Sequence, residues 1–200
     1  MQISSTGLRE RKKRDTYRSL SHAALELVQE RGLEHVTVHD IAAAADVSVR
    51  TFFNYFSCKE EAVVGVEKGV LSELADEVRR RPPAEAPVDA LRAVLLTEND
   101  STTMLRRWQL RNDLVRRYPA LLPRYLAGTV QVEEALAGAF AARSGVDARV
   151  DPGPRIFVAA ALAGLRAALA WWEESDRSTS LAAALDAALN HLSPDLPRYP

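Results

Sequence analysis

Arg50 and Asn54 stand four residues apart in a short segment, Val49 to Phe56, whose remaining members are mostly apolar or aromatic. A guanidinium can donate two parallel hydrogen bonds to the O6 and N7 edge of guanine, and a carboxamide can pair in the same two-point way with adenine. That is the chemistry these side chains offer if they share the outer face of a helix. Val49 and Phe53 flank them and could lie against thymine methyl groups or the sugar-phosphate surface. Upstream, Arg9, Arg11, Lys12, Lys13 and Arg14 form a basic run suited to phosphate oxygens. Its plainer account is a solvated, frayed helix start.

Such side chains work only if short helices hold them rigidly. Thr37 precedes a small apolar segment, Val38 to Ala45, with Ile41, Ala42 and Ala45 on one face and Asp40 three residues after the threonine. This spacing predicts a capping box with Asp in place of the usual Glu or Gln. Asp46-Val47-Ser48 breaks the pattern: Asp tolerates the left-handed backbone of a sharp turn, and Ser48 can cap a second helix. That helix, about Val49 to Phe56, buries Phe52 and Phe56 and leaves Val49, Arg50, Phe53 and Asn54 outside. Helix, tight turn and helix is the layout that lays a second helix in the major groove of DNA. Ahead of it, Leu8 to Arg31 reads as one helix with an apolar stripe of Tyr17, Leu20, Ala24, Leu27 and Val28, ended by Gly32. Leu33 and Val36 join the same small core.

Leu20 to Val28, Gly32-Leu33, Val36 to Val38, Ile41-Ala42, Ala45 to Ser48, Thr51 to Phe56 and Lys59-Glu60 together resemble the N-terminal domain of TetR-family transcriptional repressors. The resemblance runs in order, with no gap, from about Tyr17 to Val66. It implies that Thr51, Tyr55 and Lys59 occupy phosphate-contacting positions and that Thr37, at a helix start, also meets the DNA backbone. It implies too that the C-terminal domain binds a small effector, releases DNA in response, and dimerises through its last helices. Two positions depart from the family pattern. Asp46 stands where Gly is usual. Cys58 stands where a capping Ser is usual, so the helix beginning at Lys59 starts more weakly or is capped by Ser57.

Lys and Arg number 26 against 27 Asp and Glu. That balance argues mildly against nucleic acid, but the clustering of the basic residues matters more. The single cysteine allows no internal disulfide and fits a reducing cytosol. The start has no apolar segment after its basic run, unlike a secretory signal. The longest apolar stretch, Ile156 to Trp172, falls short of the ~20 residues of a membrane span and is interrupted by Arg166. A cytoplasmic protein with no membrane partner is expected. His35 and His39 have metal-ligand spacing, but Thr37 begins a helix between them, so no metal is expected. Cys58 is a lone thiol. No Ser-His-Asp ordering, phosphate-cradling glycine loop or paired carboxylates point to catalysis, so no catalytic residue is assigned.

Lys59 to Arg81 predicts one long helix with Val63, Val66, Val70, Leu74 and Val78 inward, stopped by Pro82-Pro83. Only helices are expected beyond it, including one from Pro119 to Ala142 bent at Pro123. Ile156 to Glu174 is apolar nearly all round and rich in alanine. The final helix, Leu181 to Leu192, carries Leu181, Leu185, Leu189 and Leu192 on one side. Two such helices could pair with their copies as a four-helix bundle; an internal alanine-rich core is the plainer account. Met104, Trp108, Asn112 and Phe157 are the candidates for lining an effector cavity.

The fold expected is all-α. A helix-turn-helix DNA-binding domain occupies 1–57, with its basic arm at about 9–14. An all-helical effector-binding and dimerisation domain occupies 58–192, and 193–200 is a disordered tail. The function expected is a ligand-responsive repressor that binds a palindromic double-stranded operator as a homodimer through about 155–174 and 180–192. No cofactor is expected beyond a small-molecule effector whose identity the residues do not disclose. An activator of the same fold, a helical protein-interaction module and a small helical enzyme are the alternatives.

Overall fold

The computed structural model describes residues 5–66, 68–96, 101–176 and 179–192. The expected tail at 193–200 lies outside them. Ten α-helices occur in chain order: α1 Ser5–Arg31, α2 Val38–Ala44, α3 Val49–Phe53, α4 Lys59–Val64, α5 Lys68–Arg80, α6 Pro87–Leu95, α7 Ser101–Arg117, α8 Leu122–Ser144, α9 Gly153–Glu174 and α10 Leu181–Asn190. Short 3-10 turns at Leu33–His35 and Pro119–Leu121 precede α2 and α8, and no strand occurs among the described residues. The chain forms two compact units, Met1–Gly69 with Leu110–Thr129, and Val70–Gln109 with Val130–Pro200.

The first unit is built on α1. Leu20, Ala24 and Val28 are fully buried in one core with Ile41, Phe52, Phe56, Ala62 and Val63. Burial of each large apolar side chain contributes about 1.5–3 kcal/mol. Phe56 packs against Tyr17 and Phe52, with ring centroids 4.6 and 5.5 Å apart. α1 ends at Gly32, whose φ of 87° an L side chain rarely adopts. A Cβ there would also meet the Tyr118 hydroxyl at 3.1 Å, so the position is restricted twice over. Leu114 of α7 and Leu121 complete this core.

The single helix expected from Lys59 to Arg81 is instead two, α4 and α5. The break falls at Gly65, whose backbone turns extended (φ −64°, ψ 157°) while its amide closes onto Glu61 O at 2.7 Å. A Cβ on Gly65 would lie 2.4 Å from that carbonyl oxygen, so only glycine permits the turn. The expected bend at Pro123 is also absent. Pro119–Leu121 form the 3-10 turn, and Pro123 falls in the first turn of α8, where a missing N–H removes no helical bond.

The second unit packs α5, α6, α9 and α10 with the remaining parts of α7 and α8. Its core includes Val78, Leu91, Leu136, Phe140, Val158, Leu165, Leu185 and Leu189. Arg92 on α6 donates to Asp186 at 2.6 Å and Asn190 at 2.5 Å, tying α10 down. Within the chain α9 buries one side only, through Val158, Ala161, Leu165 and Leu169. Its opposite side exposes Ile156 (44%), Ala163, Ala167 and Trp171 (59%). On α10 the leucines face inward while Ala182, Ala183 and Ala187 are exposed. At 22 residues α9 is longer than the apolar stretch read from the sequence, and by length and composition it could cross a membrane. Its packing against α10 and its place in the second core are those of a core helix.

Candidate nucleic-acid interface

α2 and α3 are set by local hydrogen bonds. Thr37 forms the capping box with Asp40: its hydroxyl and its amide both donate to Asp40 Oδ2, at 2.6 and 2.8 Å, and Asp40 N donates back at 3.2 Å. The Thr37 hydroxyl and then its amide hold the Asp40 carboxyl below the ordinary carboxylate range. Asp46 takes the left-handed conformation (φ 53°), and among the described residues no other non-glycine has a positive φ. Ser48 then caps α3, accepting from Thr51 N at 3.0 Å.

α3 is shorter than the expected Val49 to Phe56. After Phe53 the chain tightens through Asn54 N to Thr51 O and Tyr55 N to Phe52 O, yet Phe56 N still bonds Phe52 O at 3.0 Å. Phe52 and Phe56 therefore keep the predicted inward pairing, 0% and 2% exposed. Arg50 and Asn54 are exposed, and Phe53 is 55% exposed, backed edge-on by Phe52 at 5.4 Å. Val49 and Tyr55 are half-buried against the core. The Thr51 hydroxyl lies 2.9 Å from Ser48 Oγ. Lys12 and Lys13 are exposed on α1; the side chain of Arg9 lies outside the described residues.

Lys59 is placed unlike the others. Its ammonium donates to Leu33 O at 2.6 Å and Val36 O at 2.9 Å. Cys58 precedes α4 without a side-chain cap, and Ser57 donates through both N and Oγ to Glu61 Oε2, at 2.7 and 2.6 Å. Of the two outcomes left open by the missing serine, the structure takes a Ser57–Glu61 tie. Arg111 of α7 was missed. Its Nε donates to Val63 O and its Nη2 to Ser21 Oγ, both at 3.2 Å. The available signal was Ser21, a hydroxyl inside the apolar stripe of α1 and 5% exposed, which had to find a partner.

The effector candidates scatter. Asn112 lies in the first unit and accepts from the Tyr125 hydroxyl at 2.9 Å. Trp108 and Phe157 lie half-buried against the second core, Phe157 edge-on to Phe140 at 5.1 Å. The side chain of Met104 lies outside the described residues. His35 and His39 are exposed on different elements, and no group of three metal-ligating side chains occurs among the described residues.

A capped helix, a left-handed turn and a second short helix with polar side chains facing outward define a helix-turn-helix DNA-binding protein. Residues 20–66 match the bacterial regulatory proteins of the tetR family, and residues 85–197 match the MftR C-terminal domain. The chain is 37% identical to the transcriptional regulator TcmR of Streptomyces glaucescens, over 95% of this chain and 88% of TcmR. It is 30% identical to MftR of Mycobacterium tuberculosis, over 94% of each. It shares its fold with FadR of Bacillus subtilis in complex with stearoyl-CoA, with a TM-score of 0.57 at 19% identity, covering 88% of this chain and 97% of that one. The chain belongs to the TetR family, whose members are DNA-binding transcriptional regulators and not enzymes.

Proposed function

We propose that the protein is a homodimeric, effector-responsive repressor that reads a palindromic operator with α3 of each subunit. The observation that carries the reading is the exposure of Arg50, Phe53 and Asn54 on a helix anchored from behind by Phe52 and Phe56. Arg50 and Asn54 contact base edges, with Val49 and Phe53 against apolar base or sugar surface. Thr37, Thr51, Tyr55, Lys12 and Lys13 meet phosphates. One such helix covers too few base pairs for useful specificity, whereas a twofold dimer presents two about 34 Å apart. The exposed apolar side of α9 and the exposed alanines of α10 supply the dimer contact, over about 155–174 and 180–192.

An effector bound in the helical second unit, with Trp108 and Phe157 at its site, shifts the dimer towards a state that no longer fits the groove. It does so by binding the two states unequally. Small-molecule binding in FadR of Bacillus subtilis, a protein of the same fold, supports this part. The protein acts in the cytoplasm.

The test is a mobility shift with duplex DNA from upstream of the protein's own gene. Arg50→Ala should weaken binding by about tenfold or more, the value of one two-point base contact. Tyr55→Phe should weaken it less, and affinity should fall steeply with salt. Sequence-independent binding that both variants retain would overturn the proposal.

A further inference from the structure

We propose that Lys59 is a positioning residue. Its ammonium fastens the start of α4 to the chain entering α2, and so holds α3 in the orientation from which it reads DNA. The inference rests on the proposed operator binding for its DNA arm, but its geometry lies wholly within the first unit.

The two carbonyls that Lys59 engages belong to Leu33 and Val36, 26 and 23 positions earlier in the chain. Both residues are buried, and both carbonyls lie just ahead of Thr37. The loop that these bonds close contains α2 and α3 and no other α-helix. α2 has seven residues and α3 five, far too few to be stable alone, so their attitude must be imposed from outside.

The position of Lys59 is otherwise unfavourable. It opens α4, where the positive end of a helix repels a cation. Carbonyls around the 3-10 turn at Leu33–His35 are the natural counterpart to its charge. The link between α3 and Lys59 is itself stiffened, because Ser57 is held by Glu61 through two bonds. A displacement of α4 would therefore be passed to α3. Two of the three ammonium N–H groups are committed in this way without DNA.

The alternative is a phosphate contact, and salt dependence separates the two. Lys59→Met keeps the length of the side chain and removes the donor. At a temperature where circular dichroism shows the variant folded, its affinity is measured against salt. The duplexes are DNA from upstream of its own gene and a scrambled duplex of equal length. We expect the log–log salt slope to stay as in the wild type, while the preference for the upstream duplex falls about tenfold. Amides between residues 38 and 56 should also exchange about tenfold faster in the DNA-free protein. A slope shallower by about 0.9, the value of one lost phosphate contact, with preference and exchange unchanged, overturns the proposal.

A measurement on the wild type needs no folded variant. A Lys59 ammonium resonance protected from water in the DNA-free protein supports the clamp. One that emerges only on adding duplex overturns it. If the wild type shows no preference for any upstream duplex, the repressor reading fails, and the exchange and ammonium measurements still decide the role of Lys59.

Discussion

Ser48 does two things with one oxygen. It caps α3 by accepting from Thr51 N, and it lies 2.9 Å from the Thr51 hydroxyl, fixing where that hydroxyl points. Ser48→Ala should cost about 1 kcal/mol of stability, read as a lower midpoint in thermal unfolding. It should also weaken operator binding through the freed Thr51 side chain. Asp40 makes the same kind of cap titratable. The folded state favours its ionised form, since the Thr37 hydroxyl and amide both donate to it. Its contribution is therefore complete above the ordinary carboxylate range and is lost as pH falls through the lowered value. Asp40→Asn should flatten the acid side of the stability curve, measured by urea unfolding between about pH 3 and pH 7. These caps were legible in the sequence because each is a contact between residues three positions apart. The partners of Lys59 and Arg111 were not, because they lie 23 to 90 positions away and no local pattern carries such a distance.

The same division governs the elements. α2, the turn and α3 obey short-range rules, and Asp46 adopts the left-handed turn that its side chain was expected to tolerate. The run from Lys59 to Arg81 misled because its apolar periodicity continues across Gly65, and glycine inside a helical pattern is tolerated often enough to pass. What ended the helix was the steric closeness of the Glu61 carbonyl, which no periodicity reports. Gly65→Ala should accordingly destabilise the first unit by at least about 1 kcal/mol, seen in thermal unfolding, where an ordinary exposed helix site would gain from alanine. Phe52→Ala, deep in the core behind Arg50 and Asn54, should cost about 3–5 kcal/mol and abolish operator binding by unfolding α3, as near-ultraviolet circular dichroism would show. The share of α7 and α8 in the first core, through Leu114 and the turn residue Leu121, also escaped the sequence. Both were read as ordinary apolar positions of a downstream domain.

At the scale of the whole molecule, the all-α class and the family were legible from the ordered run of residues between Tyr17 and Val66. The second unit was legible only as helices, since an apolar periodicity tells inward from outward but does not say what covers the outward side. α9 shows this: leucines and valines go to the core, while Ile156, Ala163, Ala167 and Trp171 stand exposed in the single chain. Ala163→Glu or Ala167→Glu should give a monomer by sedimentation and lose operator affinity, with the helical content unchanged. A variant that remains dimeric would move the interface elsewhere.

Trp171 gives the protein an optical gauge of its own. Its indole is 59% exposed in one chain, whereas Trp172 donates to Thr179 O at 2.8 Å and Trp108 is half-buried. Of the three fluorophores it alone is mostly wetted, so the red edge of the emission spectrum reports chiefly on it. Diluting the protein through its self-association range should shift the emission maximum to longer wavelength as that ring loses its cover. A label-free titration would then read subunit pairing directly.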